Sequence, residues 1–442
     1  MSLFYMKIFI IFCLTVTLSA TEYLITVDVH GNILKYKIRE SIEQSSEAIQ
    51  IENAKFCDIP PSCEYCLVLS ADQTPDKTRL HKVDLGLSKA SNSIDIPNTS
   101  GASISTSYDS KLAFFTDLFG RKLIQRIDLS ELQILDPVPN IEARLIGKFS
   151  KKEKGDYFAI SKNPGSATNS FFRIFSDLQN RNIQIGNCSL SEFCIDSNEK
   201  FCYVTALGNG NLSPAIVKID TSSDPMSFIR VEKSSYRSMG QIQITSDNRH
   251  LIFTNIKFPN CSLIKSPTDS LEDLASVEND IVFKNQKPNA LILSTKGNRA
   301  IFATTNISDN TYYLSLIDIE NWRIIHTYQT SAEIVSMTSY IPKVANLQIF
   351  GFSRKEEFLA YIYYENQLSW VAPAGIDLSE VSYFRIIYNS EVVREINKTD
   401  PWIFHECVLK SNKQMLYKVQ GIDSSGDVIA EGTIVLNLGR YH

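Results

Sequence analysis

Apolar and polar residues alternate along most of the chain in short runs separated by turn residues, the pattern of strands with one or both faces covered. One phrase recurs: an apolar strand, a polar turn built from Ser, Asp, Asn or Lys, and a second strand of β-branched and aromatic residues. It is read from Ser103 to Thr116 around Tyr108-Asp109-Ser110-Lys111, from Glu192 to Thr205, from Gln241 to Thr254 around Ser246-Asp247-Asn248-Arg249, and from Ala290 to Thr304 around Lys296-Gly297-Asn298. A weaker copy runs from Arg144 to Ser161. After each copy comes a third strand that usually ends in an Ile/Val-Asp step, at Val83-Asp84, Ile127-Asp128, Ile219-Asp220 and Ile317-Asp318, and then a fourth strand.

The Asp residues at 84, 128 and 220 stand 44 and 92 apart, and a degenerate unit near Phe175 fills the wider gap. Four short strands repeating in the middle forties predict the blades of a β-propeller. Six complete units are read at 54–97, 103–140, 143–187, 191–233, 240–285 and 289–330. Three amino-terminal strands (Tyr23–Val27, Ile33–Lys37, Ala48–Ile51) and one near Glu333–Tyr340 are left over. Three plus one make a seventh blade shared between the two ends, which removes the edge strands that would otherwise be exposed. Over about residues 22–340 these units resemble blades of the WD40-like propellers, loosely of the PD40 type. They lack the Gly-His and Trp-Asp pairs of the WD40 consensus, and Ser246-Asp247-Asn248-Arg249 lacks the Gly, Thr and Trp of an Asp-box.

From Pro342 the period breaks. Pro342 to Ile349 reads as a first strand, Leu368-Ser369-Trp370 as a strand around a buried aromatic, and Phe384, Ile386 and Tyr388 as alternating positions of another. Tyr417, Val419 and Gly421 alternate before a turn at Asp423-Ser424-Ser425-Gly426. Residues 342–438 resemble a fibronectin type III domain, in which Trp370 would be the core tryptophan of the second strand and Tyr417 the aromatic of the penultimate one. The fold class expected is therefore all-β, a seven-bladed propeller followed by an immunoglobulin-like sandwich.

The amino terminus changes the compartment. Lys7 precedes an apolar run from Ile8 to Leu18 that is too short to span a bilayer, and small Thr17 and Ser19 favour cleavage after Ser19. Residues 1–19 thus read as a signal peptide, with no later membrane span, and the expected location is outside the cell or in the lumen of the secretory pathway. Eight cysteines remain: Cys57, Cys63, Cys66, Cys188, Cys194, Cys202, Cys261 and Cys407. In an oxidising compartment these suggest disulfides. Cys194 and Cys202 lie equidistant from Asn198 and are expected to face each other across a hairpin. Cys57, Cys63 and Cys66 form a second candidate cluster, and the two-residue spacing of the last pair also admits a zinc reading that no further ligand pair completes. Cys407 is expected to be a buried thiol. Six sequons mark glycosylation candidates at Asn98, Asn187, Asn211, Asn260, Asn306 and Asn397.

Charge and chemistry then narrow the partner. With 44 basic against 49 acidic residues the net charge is −5, which leaves no electrostatic footprint for nucleic acid. No glycine-flanked serine forms a nucleophile elbow. The histidines at 30, 81, 250, 326, 405 and 442 are scattered over different units, and no metal or cofactor is expected. Trp322 and Trp402 are candidate interface aromatics. The reading favoured is a non-enzymatic scaffold that meets a protein or glycan partner through propeller faces and the fibronectin-like module. The alternative is an enzyme, or a small-molecule or glycan binder, that uses the central funnel. It requires several carboxylates, His or Arg in that channel.

Overall fold

The computed structural model describes residues 21–437 apart from 46–47, 72–76, 86–89, 98–100, 108, 118–123, 139–144, 147–156, 163–168, 176–179, 188, 208–212, 233–237, 270, 272–278, 343, 359–360, 373–377, 379–380, 389–390, 409–413, 425 and 427. These residues are built from β-strands, and none of them forms a helix long and apolar enough to cross a membrane. The contacts divide the described chain into two compact units, Glu22–Ile341 and the region from Pro342 onward.

In the first unit, six sheets each take four consecutive strands in simple antiparallel order. Their innermost strands are Ala54–Asp58, Gly101–Thr106, Leu145–Ile146, Ser189–Ile195, Met239–Ile244 and Gln286–Leu293. A seventh sheet joins the two ends of the unit. Ile334–Tyr340 pairs with Glu22–Asp28, which pairs with Asn32–Ile38 and through it with Ile42–Gln44. Tyr23 and Tyr340 are cross-strand partners and their rings stack at 5.7 Å. The third amino-terminal strand is therefore Ile42–Gln44. The predicted stretch Ala48–Ile51 contributes only the short Ile49–Gln50 ladder to Asn32 and Ile33, because the tight return at 39–41 lets the chain pair again at once.

Where side chains are described, neighbouring sheets pack through separate apolar layers. Ile183 and Ile185 meet Leu190, Cys202 and Val217 in one layer, Cys194 and Tyr203 meet Met239 and Leu251 in the next, and Ile252 and Leu263 meet Leu291 and Phe302 in a third. The second strand of a sheet is thus covered on both faces. Its sequence is a continuous apolar run, as in Phe201–Leu207 and Arg299–Asn306, whose central residues are all buried. Fourth strands such as Ser227–Glu232 are largely exposed, Phe228 and Ile229 included, and Arg230 and Glu232 place charge on that outer edge.

The Ile/Val-Asp repeat has a local cause. Ile127, Ile219 and Ile317 are fully buried, while the following aspartate turns back to close the connection to the fourth strand. Asp128 accepts the backbone N–H and the hydroxyl of Ser130, Asp220 does the same for Ser222, and Asp318 accepts from Asn321. These hydrogen bonds hold all three carboxyls below the usual range. The repeated acids are turn-formers.

The second unit contains a three-stranded sheet (Gln348–Phe358, Tyr361–Val371, Ile403–Val408) and a five-stranded sheet in which Val381–Tyr388 and Val428–Asn437 flank Gln414–Asp423. One apolar cluster draws on both, with Trp370, Phe384 and Tyr417 essentially inaccessible. Phe384 packs edge-on against Trp370 at 5.4 Å and Trp402 at 4.6 Å. The Tyr417 hydroxyl receives a hydrogen bond from Asn366 Nδ2 at 2.9 Å and donates to Glu406 at 3.1 Å.

Candidate binding face

The carboxyl ends of the innermost strands converge on a cavity of about 490 Å³ in the first unit. Segments from six sheets line it, between Asp58 and Ser339 in the chain. Hydroxyls come from Ser105, Ser246, Ser294, Thr295, Thr338 and Ser339, and the apolar part of the wall from isoleucines of the same strands. Among these lining residues Asp58 is the one charged group. Its Oδ2 accepts both the N–H of Thr106 at 2.9 Å and the Thr106 hydroxyl at 3.0 Å, which ties two neighbouring inner strands together.

The hairpins around this mouth are fixed by side chains that take up their own backbone donors. Asp196 accepts the N–H groups of Lys200 and Phe201, and Asp247 accepts that of Arg249 and the Thr245 hydroxyl. Ser107 and Asp109 build the same turn. Glu22 stands behind the wall, 2 % exposed, and its carboxylate accepts the N–H of Thr295. Burial raises its pKa above the ordinary carboxylate value, and the hydrogen bonds to Thr295 and Ser339 only partly offset that. Thr295 and Ser339 share a hydroxyl contact at 3.1 Å. Among the described residues the mouth is lined by small hydrogen-bonding groups, with Asp58 as its one charge. Among the described residues no three His, Cys, Asp or Glu side chains converge where they could hold a metal ion.

The cysteine expectations change. Cys194 pairs with Tyr203 and Ile195 with Cys202, so the two cysteines are out of register by one residue and point to opposite faces of their sheet. They enter different apolar layers as free thiols, and burial pushes both thiols up. Counting outward from Asn198 misplaces the pair, because the turn's hydrogen bonds run from Glu199 N–H to Asp196 and from Asp196 N–H to Phe201. Cys57, Cys63 and Cys66 do come together in one apolar layer, with Cys57 and Cys66 in thiol contact and none of the three in a disulfide. Cys407 is exposed: in Ile403–Val408 the strand turns Phe404 inward, so residues 403, 405 and 407 face outward.

The tryptophans serve their own units. Trp322 packs against the layer around Phe302 beneath the Lys265 ammonium, and Trp402 covers Phe384 while its indole N–H donates to the Lys398 carbonyl at 3.0 Å. Of the sequons, Asn98 and Asn211 lie outside the described residues. Asn187 and Asn397 end strands, and Asn260 and Asn306 flank hairpin turns. The central funnel is the alternative site that the sequence offers, but none of its lining residues stands out there. Its signal is the Ser or Thr that recurs at the end of inner strands, a residue choice common on any surface.

No family model matches the chain, and no curated protein is similar to it. Solved structures are similar in fold. A functionally unknown protein from Desulfotomaculum acetoxidans superposes with a TM-score of 0.54 at 12% identity, covering 74% of this chain and 100% of its own. The periplasmic gluconolactonase PpgL of Pseudomonas aeruginosa gives 0.54 at 11% identity, over 73% of this chain and 100% of its own. A protein from Lactobacillus plantarum gives 0.51 at 11%, over 73% and 99%. The fold is a β-propeller. At these identities the likeness reaches no further than that.

Proposed function

We propose that the chain is a secreted or secretory-lumen interaction scaffold without enzymatic activity. In this reading the seven sheets of Glu22–Ile341 are seven blades, closed by the shared sheet of the two ends. The second unit is a fibronectin type III-like module, and its sheets of three and five strands, with Trp370 and Tyr417 buried in one shared core, support that assignment. The observation that carries the proposal is the chemistry of the funnel mouth: among the described lining residues, hydroxyls and apolar side chains surround one carboxylate already engaged by Thr106. Such a mouth favours docking of peptide carbonyls and amides, or of sugar hydroxyls, over turnover.

The test uses the purified full chain from a secreting host. It is presented to arrays of extracellular proteins and of glycans, with Ser246→Arg as the control that places a bulky charge in the mouth. Specific micromolar binding that this variant loses supports the reading. Turnover of gluconolactone, the substrate implied by the name of the Pseudomonas aeruginosa neighbour, would overturn it. So would recovery of the chain with residues 1–19 intact from the cytosol.

A further inference from the structure

The strand order of the propeller sorts the sequons. In every sheet the innermost strand runs toward the funnel mouth, the second runs away from it, the third returns and the fourth runs away again. Connections between second and third strands, and from a fourth strand to the next innermost one, therefore lie at the end opposite the mouth. Asn306 ends a second strand and Asn260 begins a third. Asn187 ends a fourth strand. The three described propeller sequons thus belong to one face.

Asparagine itself is not so confined. Asn198, Asn248 and Asn298 sit in hairpins at the mouth, and Asn321 in a third-to-fourth turn at that end, yet none of the four is followed by the acceptor pattern. A preference of asparagine for turns would populate both ends alike.

A second feature stands beside one of these sites. Phe258, two residues before Asn260, is 72% exposed, the highest value among the large apolar side chains described. The Asn260 side-chain oxygen accepts the N–H of Asn285 at 2.9 Å, which fixes the carboxamide and leaves its nitrogen as the free end. Asn306 is held similarly by the N–H of Ser308 at 2.9 Å, with its nitrogen in a long 3.4 Å contact to exposed Asp309. Phe258 thus presents a largely exposed ring in the two-residue turn that Asn260 closes.

We propose that N-glycans clothe the propeller face opposite the mouth, that the glycan on Asn260 covers the Phe258 ring, and that the mouth face is left bare for the partner. This rests on the secretory reading above. In the transfer, the carboxamide nitrogen forms a bond to the anomeric carbon of a lipid-linked oligosaccharide, the anomeric C–O bond breaks, the lipid diphosphate leaves, and the nitrogen gives up one proton.

The experiment expresses the full chain with its own leader in a secreting eukaryotic host. Enzymatic deglycosylation in heavy-oxygen water and peptide mass mapping then show each occupied asparagine as labelled aspartate, and the amino terminus shows whether the leader was removed. Occupancy at Asn187, Asn260 and Asn306 is expected. The unfolding temperature should fall in Asn260→Gln, and the same substitution should change little in a Phe258→Ala background. A processed chain with these sites bare overturns the proposal alone. Equal effects of Asn260→Gln in both backgrounds overturn the contact with Phe258. An unprocessed chain without glycans overturns the secretory reading and this proposal with it.

Discussion

The carboxylate of Glu22 accepts the backbone N–H of Thr295, 273 residues further along the chain. The bond links the closing sheet to the hairpin of the neighbouring sheet at the rim of the mouth. Glu22 is buried, and its pKa lies above the ordinary carboxylate value. For an acid shifted in this direction, the stabilising contribution is complete below the unfolded-state pKa and is lost as pH rises through the folded one. Glu22→Gln keeps an oxygen for Thr295 and removes the titration. The variant should match or exceed the parent in unfolding temperature at pH 7.5 and lose its advantage near pH 4.5. Glu22→Ala leaves the N–H without its acceptor and should cost about 1–3 kcal/mol at either pH. Circular dichroism melts at the two pH values decide it.

His81 predicts the opposite slope. Burial, with help from neighbouring Arg79, lowers its pKa to about 4, and its Nε2 lies 3.0 Å from the Ser70 hydroxyl. A base depressed in this way contributes stability that is present above its unfolded pKa, near 6.5, and is lost as pH falls toward 4. His81→Gln should flatten urea-denaturation stability across that window. The difference is at most about 1.4 kcal/mol per pH unit, and less because the ring is only partly buried. Equal slopes in parent and variant would contradict the assignment.

Gly297 has φ +73°, and a Cβ built there would sit 2.2 Å from Ser246 Oγ in the adjacent hairpin. Gly297→Ala should cost about 1–3 kcal/mol, measured by chemical denaturation. Adding Ser246→Gly removes the clash and leaves the backbone strain, so the double variant should recover only part of the loss.

The thiols should separate by reactivity. Exposed Cys407 is expected to be alkylated in the native protein, whereas Cys194, Cys202 and Cys261 should react only on unfolding. Burial pushes the first two buried thiols up in pKa and brings Cys261 to about 12. A peptide linked through Cys194 and Cys202 in the mass map would refute the register that places them on opposite faces.

Much of the architecture was legible because strand pairing follows alternation and turn chemistry. Gln241 to Thr254 and Ala290 to Thr304 fall on real hairpins, since Thr245 with Asp247 and Ser294 with Asn298 mark the turns chemically. Facing was harder to read. Whether Cys194 meets Cys202 depends on a single-residue register, and spacing alone does not carry that information. Trp402 looks exposed beside Asp400 and Pro401, yet its ring reaches back 4.6 Å from Phe384. The mouth was hidden for a different reason: its wall is assembled from six separate segments, each contributing a few small residues that carry no motif.

The sheet that closes the propeller also sets a folding schedule. Glu22–Asp28 is made early, but its partner Ile334–Tyr340 follows only after about 300 further residues. At roughly 5–20 residues per second that is a wait of about 15–60 s, during which apolar Leu24, Ile25 and Val27 have no inner strand to pair with. For that interval the nascent chain presents an open strand edge. Pairing of the first strand therefore waits on synthesis of the last one.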